Sequence, residues 1–314
     1  MRNRPLASGT RRAAGGEKSA GIPGELAPSQ GGGRAARETD AAGFGPVLCY
    51  PWLTTSPEIC PRLAVVSTFL LIAKAGGSAE AAENTCEAIA RAVGVQPPNG
   101  CEVAVEVDLR LSRDDEFVAL HDATLERTTG GRGSARQHTL RELCRLKAGP
   151  NAERVPSLFE VLEAAGDRQL LLDLHDDDVT SVATLSRCLA RIRPEQRERL
   201  WVASEHGRVV EALRRSEPAL RTAATKREAW GKLLFGRLGL GRWAARGHVW
   251  VVPERHAGWQ VVSPRFVEEA RAAGDAVWVF VVNDAGALRR LRRWGVGGCL
   301  TTRPAGLVSE LTEV

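Results

Sequence analysis

The chain has 314 residues, 43% of them hydrophobic, which is enough for one large domain or two small ones. No apolar run reaches the roughly 18 residues of a membrane helix, and the N-terminus lacks the apolar core of a secretory signal. Seven scattered cysteines without a CxxC pair favour a reduced, cytoplasmic protein. The net charge is +5, and residues 226–246 alone carry that excess; without any nucleic-acid-binding motif, we expect no nucleic-acid partner.

The N-terminal segment differs in composition from the rest of the chain. Residues 1–47 are rich in Gly, Ala, Arg and Ser and nearly lack large apolar residues, which predicts a disordered tail. From 62 to 312, strand-like and helix-like patterns alternate. We predict strands at 64–73, 102–111, 116–121, 169–174, 199–204, 219–225, 248–253, 277–282 and 297–301. We predict helices at 83–94, 139–147, 157–166, 179–193, 206–216, 263–274 and 284–294, three of them with N-terminal capping signals.

Alternating strands and helices over about 250 residues predict an α/β protein with a parallel sheet, most simply a (β/α)8 TIM barrel. Nine strands are one too many, so one of them is misassigned or lies outside the barrel. A doubly wound open sheet is the alternative, although it usually carries a glycine-rich phosphate-binding fingerprint that this sequence lacks.

The segment CEVAVEVDLRL places two carboxylates on one face of a strand. Glu106 and Asp108 alternate with valines, so they would face the barrel lumen about 6 to 7 Å apart along the strand. Two such carboxylates repel each other unless a cation or a proton joins them, which makes a divalent cation a natural partner. The alternative is an ordinary strand with a solvent-facing side.

Two further strand ends carry polar residues. His121 ends the strand FVALH and is a candidate general acid, with Asp122 orienting it or its loop. A single His at a strand end is nevertheless more often structural than catalytic. Asp173, in LLLDLHDDD, is a candidate third carboxylate for the same cation.

Several separated motifs, in order, closely resemble those of the glycerophosphodiester phosphodiesterase family. They are GGSAEAAENT, VEVDLRLSRDDEFVALHDATLERTTGGRG, VPSLFEVLEA, LLLDLHD, VWVFVVND and GVGGCLTTRP, and they span about residues 64–310. The resemblance implies a TIM barrel and metal-dependent hydrolysis of a phosphodiester between glycerol 3-phosphate and an alcohol or lipid headgroup. Residues of about 111–160 would be the family's insertion.

The resemblance also implies roles for individual residues. Glu106, Asp108 and Asp173 match the metal ligands, for Mg²⁺ or Ca²⁺, although the family more often has Glu at the third position. His121 matches the catalytic His. Substrate binding falls to Glu83, to Asn283 and to His175, which stands where the family has a phosphate-binding Lys.

The first motif departs from the family pattern. Family members have His-Arg-Gly where this chain has Lys74-Ala75-Gly76, so half of the acid/base pair and a phosphate-gripping Arg are missing. Lys74 keeps a positive charge there and is a second candidate catalytic residue. We therefore expect a phosphodiesterase with impaired activity, and the alternative is a catalytically inactive barrel that binds a phosphate ester or a protein partner.

Residues 226–246 combine six basic residues with Trp230, Trp243 and several leucines. A basic amphipathic helix with Trp is typical of membrane-surface binding, which would make the protein peripheral to a membrane. Four glycines weaken the helix prediction. A helical loop that caps the barrel is the interpretation that we favour slightly.

Overall fold

The computed structural model describes residues 68–237 and 249–312. The chain divides into two compact units, and all of these residues belong to the second, Pro57–Val314. The predicted tail at 1–47 and the second half of the basic segment, 238–246, lie outside the described residues. Within the described ranges, no helix combines the length and the apolar character needed to cross a membrane.

Eight parallel strands form a nearly closed barrel, which confirms the predicted fold class. In chain order they are β1 (Phe69–Ala73), β2 (Cys101–Leu111), β3 (Leu170–Leu174), β4 (Leu200–Ala203), β5 (Arg221–Thr222), β6 (Val249–Pro253), β7 (Ala276–Phe280) and β8 (Gly298–Thr301). From β1 to β5 and from β6 to β8 each strand pairs with the next, and β8 returns to pair with β1, Leu70 opposite Gly298. Between β5 and β6 the ring is completed by a single bridge, Ala223 to Val249.

The ninth predicted strand lies outside this ring. Residues Phe117–Ala119 pair antiparallel with the end of β2, which explains the surplus in the sequence prediction. The other short strands off the barrel are two hairpins, Lys147–Ala148 with Glu153–Arg154 and Arg255–His256 with Trp259–Gln260.

Ten α-helices accompany the strands in the described ranges. They are α1 (Cys86–Gly94), α2 (Leu140–Leu143), α3 (Leu158–Ala165), α4 (Thr180–Leu189), α5 (Pro194–Arg197), α6 (Gly207–Ser216), α7 (Lys226–Arg237), α8 (Pro264–Ala272), α9 (Ala285–Arg293) and α10 (Pro304–Thr312). The predicted helix at 139–147 shrinks to α2, because Lys147 already belongs to a hairpin strand. Capping boxes begin α2 at Thr139 and α3 at Ser157, as predicted.

The side chains of β2 divide between two environments, as the alternation predicted. Val105, Val107 and Leu109 pack outward against the helices. Ala104 faces the lumen, whose floor is filled by large apolar side chains such as Trp201 and Trp278, with ring centroids 4.7 Å apart. Glu106 and Asp108 share the face of Ala104 and are both 1% exposed, so they lie above this floor, toward the carboxyl ends of the strands.

Between β2 and α3 the chain leaves the barrel and forms a small substructure with its own core, which we call the excursion. Val118, Leu120, Leu125 and Leu143 are among its buried residues. At the other end of the chain, the first turn of α10 is fixed to the loop after β1, because the backbone N–H groups of Ala305 and Gly306 donate to the Glu80 carboxylate at 3.1 and 2.8 Å. The start of α10 is therefore fastened to the loop that connects β1 with α1.

Gly76 is required at the end of β1. Its φ is +75°, and an added Cβ would lie 2.9 Å from the Cβ of Ala88 in α1. Gly76→Ala should lower the free energy of unfolding by about 2–4 kcal/mol, from the left-handed backbone and the overpacking together. Urea denaturation followed by circular dichroism measures this change. Gly94→Ala is the matched control, because its Cβ meets open space; it should be neutral or stabilise by up to about 1 kcal/mol.

Candidate active site

The end of β1 folds around Glu106. Residues Lys74–Gly76 form a 3-10 turn in which Ala75 takes left-handed dihedral angles, φ 49° and ψ 38°. This bend directs the Ala75 N–H to Glu106 Oε2 at 2.5 Å, while Lys74 Nζ lies 3.3 Å from Oε1. Both oxygens of a buried carboxylate are thus met by donors from one turn.

Asp108 is held by residues from two loops. Asn84 Nδ2 donates to Asp108 Oδ2 at 2.9 Å, and the Asp108 N–H donates to Asn84 Oδ1 at 3.0 Å. Asn84 is 2% exposed with φ of 58°, a conformation that Asn tolerates better than most residues. His175 Nε2 lies 2.9 Å from the other oxygen, Oδ1. Asn84 lies within a motif recognised in the sequence, but its role as a partner of Asp108 was not predicted.

The third carboxylate is brought in by strand register. Asp173 on β3 is paired with Asp108 on β2, and its Oδ2 lies 3.6 Å from His175 Nε2. One oxygen each of Glu106, Asp108 and Asp173 lies within 4.8 Å of the others. The three predicted ligands therefore come together at the carboxyl end of the barrel, and three hard oxygen donors suit a divalent cation such as Mg²⁺ or Ca²⁺.

His121 lies beside this cluster, at the start of the excursion. Its Nδ1 is 2.7 Å from Asp122 Oδ1, and its ring centroid is 4.7 Å from that of His175. Arg127 connects Asp122 with Glu83. Its guanidinium donates to Asp122 at 2.5 Å and to both oxygens of Glu83 at 2.7 and 2.9 Å. Arg127 was not predicted as a site residue: it lies within a motif recognised in the sequence, but nothing in that motif indicates its contact with Glu83, 44 residues away.

Burial and mutual repulsion separate the pKa values of the carboxylates. Burial and the adjacent Asp108 raise the pKa of Glu106 to about 8, although Lys74 partly opposes the shift. Burial also acts to raise the pKa of Asp108, but the hydrogen bond from His175 and the charge of Lys74 outweigh it and hold that pKa well below its usual range. Burial and the repulsion by Asp108 therefore disfavour the charged form of Glu106 when no cation is bound.

The flanking bases respond to the same charges. Burial favours the neutral forms of Lys74 and His175, but the nearby carboxylates outweigh it and raise the pKa of both side chains. Burial raises the pKa of Asp173 as well, although its side chain remains 30% exposed. The cluster is thus an acidic centre bordered by two basic side chains of the same chain.

Asn283 has contacts elsewhere. Its Oδ1 accepts from the Thr301 hydroxyl at 2.8 Å and from the Thr302 N–H at 3.0 Å, and its Nδ2 donates to the Thr302 hydroxyl. The side-chain amide therefore fixes the loop after β8. Its predicted role in substrate binding stays a prediction, and these contacts give it no support.

A cavity of about 460 Å³ adjoins the site. It lies between the loop after β1 and the excursion, and Glu80, Glu83, Arg127 and Asn151 are among its lining residues. Its lining is polar and apolar in nearly equal parts, and it leaves room for a small molecule beside Glu83.

The two hydrogen bonds between Asn84 and Asp108 predict a large effect of mutation. Asn84→Ala should lower the free energy of unfolding by about 2–4 kcal/mol, because it leaves buried polar groups of Asp108 unpaired. Urea denaturation provides the measurement. Asn99→Ala removes an exposed amide and should stay within about 0.5 kcal/mol of wild type. Equal effects of the two variants would contradict the proposed importance of Asn84.

Comparison with known proteins confirms the family resemblance noted in the sequence. The model of the glycerophosphoryl diester phosphodiesterase family matches residues 75–305. A glycerophosphodiester phosphodiesterase of Caldanaerobacter subterraneus is 37% identical over 111 residues, 33% of this chain but only 44% of the relative. Bacillus subtilis YhdW, whose name places it among the same enzymes, is 26% identical over 76% of this chain and 97% of its own length.

Solved structures show the same fold. The glycerophosphoryl diester phosphodiesterase domain of a Mycobacterium tuberculosis protein superimposes with a TM-score of 0.66 at 20% identity, covering 78% of this chain and 99% of the domain. An Oleispira antarctica phosphodiesterase, solved in complex with the product sn-glycerol-3-phosphate, gives 0.62 at 22% identity, covering 78% and 96%. Since the family model spans most of the described barrel, the chain belongs to the glycerophosphoryl diester phosphodiesterase family.

Proposed function

We propose that this protein hydrolyses glycerophosphodiesters, releasing glycerol 3-phosphate and an alcohol. The observation that carries the proposal is the convergence of Glu106, Asp108 and Asp173 with His121 at the carboxyl end of the barrel. Membership of the family supports it, and so does the product bound to the Oleispira antarctica enzyme. Within this proposal, Glu106, Asp108 and Asp173 hold a divalent cation, Mg²⁺ or Ca²⁺, which supplies charge stabilisation for the phosphoryl oxygens.

His121 is the proposed acid/base group. Because its Nδ1 is paired with Asp122, its other ring nitrogen is the one available to exchange a proton with the leaving alcohol. Arg127 orients Asp122 and Glu83 from the side of the cavity. In this proposal the phosphate lies between His121 and the carboxylates, where Lys74 and His175 contact its oxygens, and the alcohol occupies the cavity beside Glu83.

The departure at Lys74-Ala75 lowers the expected rate without removing the machinery. One acid/base group contributes about 10²- to 10⁴-fold, so the missing first His predicts slow turnover. An inactive barrel is not favoured, because the chain matches the family over residues 75–305 and its three carboxylates lie close to His121 and His175. We therefore propose that the protein is an active hydrolase with a reduced rate.

Turnover of glycerophosphodiesters tests this function directly. Purified protein should release glycerol 3-phosphate in an enzyme-coupled assay, and His121→Ala should lower kcat by about 10²- to 10⁴-fold. His138→Ala is the matched control, because His138 is a half-buried histidine of the same excursion whose ring contacts the Arg132 carbonyl. Its turnover should equal that of the wild type. Chelation of divalent cations should abolish release, and re-addition of Mg²⁺ or Ca²⁺ should restore it.

Two outcomes would contradict the proposal. The first is that the wild type hydrolyses every glycerophosphodiester no faster than the His121→Ala variant does. The second is equal loss of turnover in the His121 and His138 variants, which would contradict an acid/base role that belongs to His121 alone.

A second proposal concerns a membrane surface near the barrel mouth. Within α7, Trp230 is 56% exposed, and its ring lies 5.7 Å from that of His256 in the hairpin after β6, which also carries the 60% exposed Trp259. Lys226, Arg227 and Arg255 are exposed in the same two elements. By contrast, Lys232 is buried over the rings of Trp250 and Phe266, so one side of α7 is fixed to the barrel.

We propose that these tryptophans and basic residues contact an anionic membrane peripherally. The protein should co-sediment with vesicles that contain anionic lipid, release at high salt, and stay in solution with purely zwitterionic vesicles. Trp230→Ala combined with Trp259→Ala should weaken co-sedimentation several-fold. Failure to bind anionic vesicles at low salt would leave α7 as a helix that only covers the barrel.

A further inference from the structure

The Lys74 ammonium lies where a cation would meet the carboxylate cluster. Its Nζ is 3.3 Å from Glu106 Oε1 and 3.9 Å from Asp108 Oδ1. These are two of the three carboxylates whose oxygens come within 4.8 Å of one another. A positive charge of the chain itself thus already faces the oxygens to which a divalent cation would bind.

The other oxygens of this pair have their own donors. Glu106 Oε2 accepts from the Ala75 N–H, and Asp108 Oδ2 accepts from Asn84. The oxygen of Glu106 that remains for a cation is therefore Oε1, the one that Lys74 contacts. A divalent cation in coordination range of Oε1 would stand next to the ammonium, and two like charges repel each other at that separation.

Lys74 is nevertheless free to move away. Its side chain is 27% exposed, whereas Glu106 and Asp108 are buried, and it reaches the cluster from the edge of the site through a flexible four-carbon stem. Among the described residues, its only side-chain hydrogen bond is the one to Glu106. The ammonium can therefore leave the carboxylates without breaking any other hydrogen bond of this side chain to the described residues.

We propose that the Lys74 ammonium and a divalent cation are alternative occupants of the carboxylate cluster. Lys74 neutralises the cluster when no metal is bound, and a metal binds only by displacing it. This inference rests on the metal site of the proposed function. It predicts that the chain binds divalent cations weakly, and that the displaced ammonium becomes exposed when they bind.

The first test measures metal affinity without substrate. Isothermal titration calorimetry with CaCl₂ and MgCl₂ should show one site per chain, bound tenfold or more tightly by Lys74→Met, which keeps the stem but not the charge. Lys147→Met removes an exposed lysine from a hairpin of the excursion and should bind like the wild type. In thermal melts without metal, Lys74→Met should unfold at a lower temperature than the wild type. Added metal should raise the unfolding temperature of Lys74→Met more than that of the wild type.

A second test needs no substitution. Reductive methylation of the wild-type protein with formaldehyde and a borane, read by mass spectrometry, reports how accessible each lysine amine is. Added Ca²⁺ should speed the modification of Lys74 and leave that of Lys147 unchanged. This measurement tests whether Ca²⁺ displaces the Lys74 ammonium even if Lys74→Met folds poorly.

The outcomes separate this inference from the proposed function. Equal metal affinity in the wild type and Lys74→Met, or labelling of Lys74 that Ca²⁺ does not accelerate, would overturn the inference. If turnover still requires metal in that case, the proposed function stands. If no variant binds metal and turnover persists in chelator, the metal site of the proposed function fails, and this inference fails with it.

Discussion

Three carboxylates held close together impose the main constraint on this structure. Their mutual repulsion would push the strand ends apart if the surrounding loops did not supply donors. The loop after β1 contributes two, the Ala75 N–H and the Asn84 amide, and the loop after β3 contributes the His175 imidazole. The left-handed backbone at Ala75 and Asn84 is accepted because it aims these donors. The local backbone of the site therefore follows from its electrostatics.

The barrel floor makes that constraint stronger. Large apolar side chains, among them Trp201 and Trp278, fill the lumen directly below the site. In such surroundings a charge is poorly solvated, which is why the pKa of Glu106 rises to about 8. Polar residues then lie at the top of the lumen and apolar ones at the bottom. The same strand alternation that builds the core also places Glu106 and Asp108 at the top of the lumen.

Much of this arrangement could be predicted from the sequence because it depends on the alternation of side chains along single strands and on short motifs. Alternation within β2 placed Glu106 and Asp108 on one face, and the motif order indicated Asp173 as their partner. The contacts that could not be predicted join distant parts of the chain. Arg127 bridges Asp122 and Glu83 across 44 residues, and the Lys74 ammonium reaches the carboxylates only because the 3-10 turn bends. Local pattern carries no information about such pairings, and the same holds for the contacts of Asn283 with the β8 loop.

The bond between Glu80 and the first turn of α10 has a consequence for how the site is built during synthesis. The loop that carries Glu83 and Asn84 is among the first barrel segments to leave the ribosome, yet its anchor is among the last. Strand β1 likewise has only β2 as a pairing partner until β8 has been synthesised. An unfinished chain therefore holds the carboxylates of β2 and β3 before the loop that restrains them is secured. The loop that carries Glu83 and Asn84 is therefore fixed in place only after the C-terminal helix α10 has folded onto it.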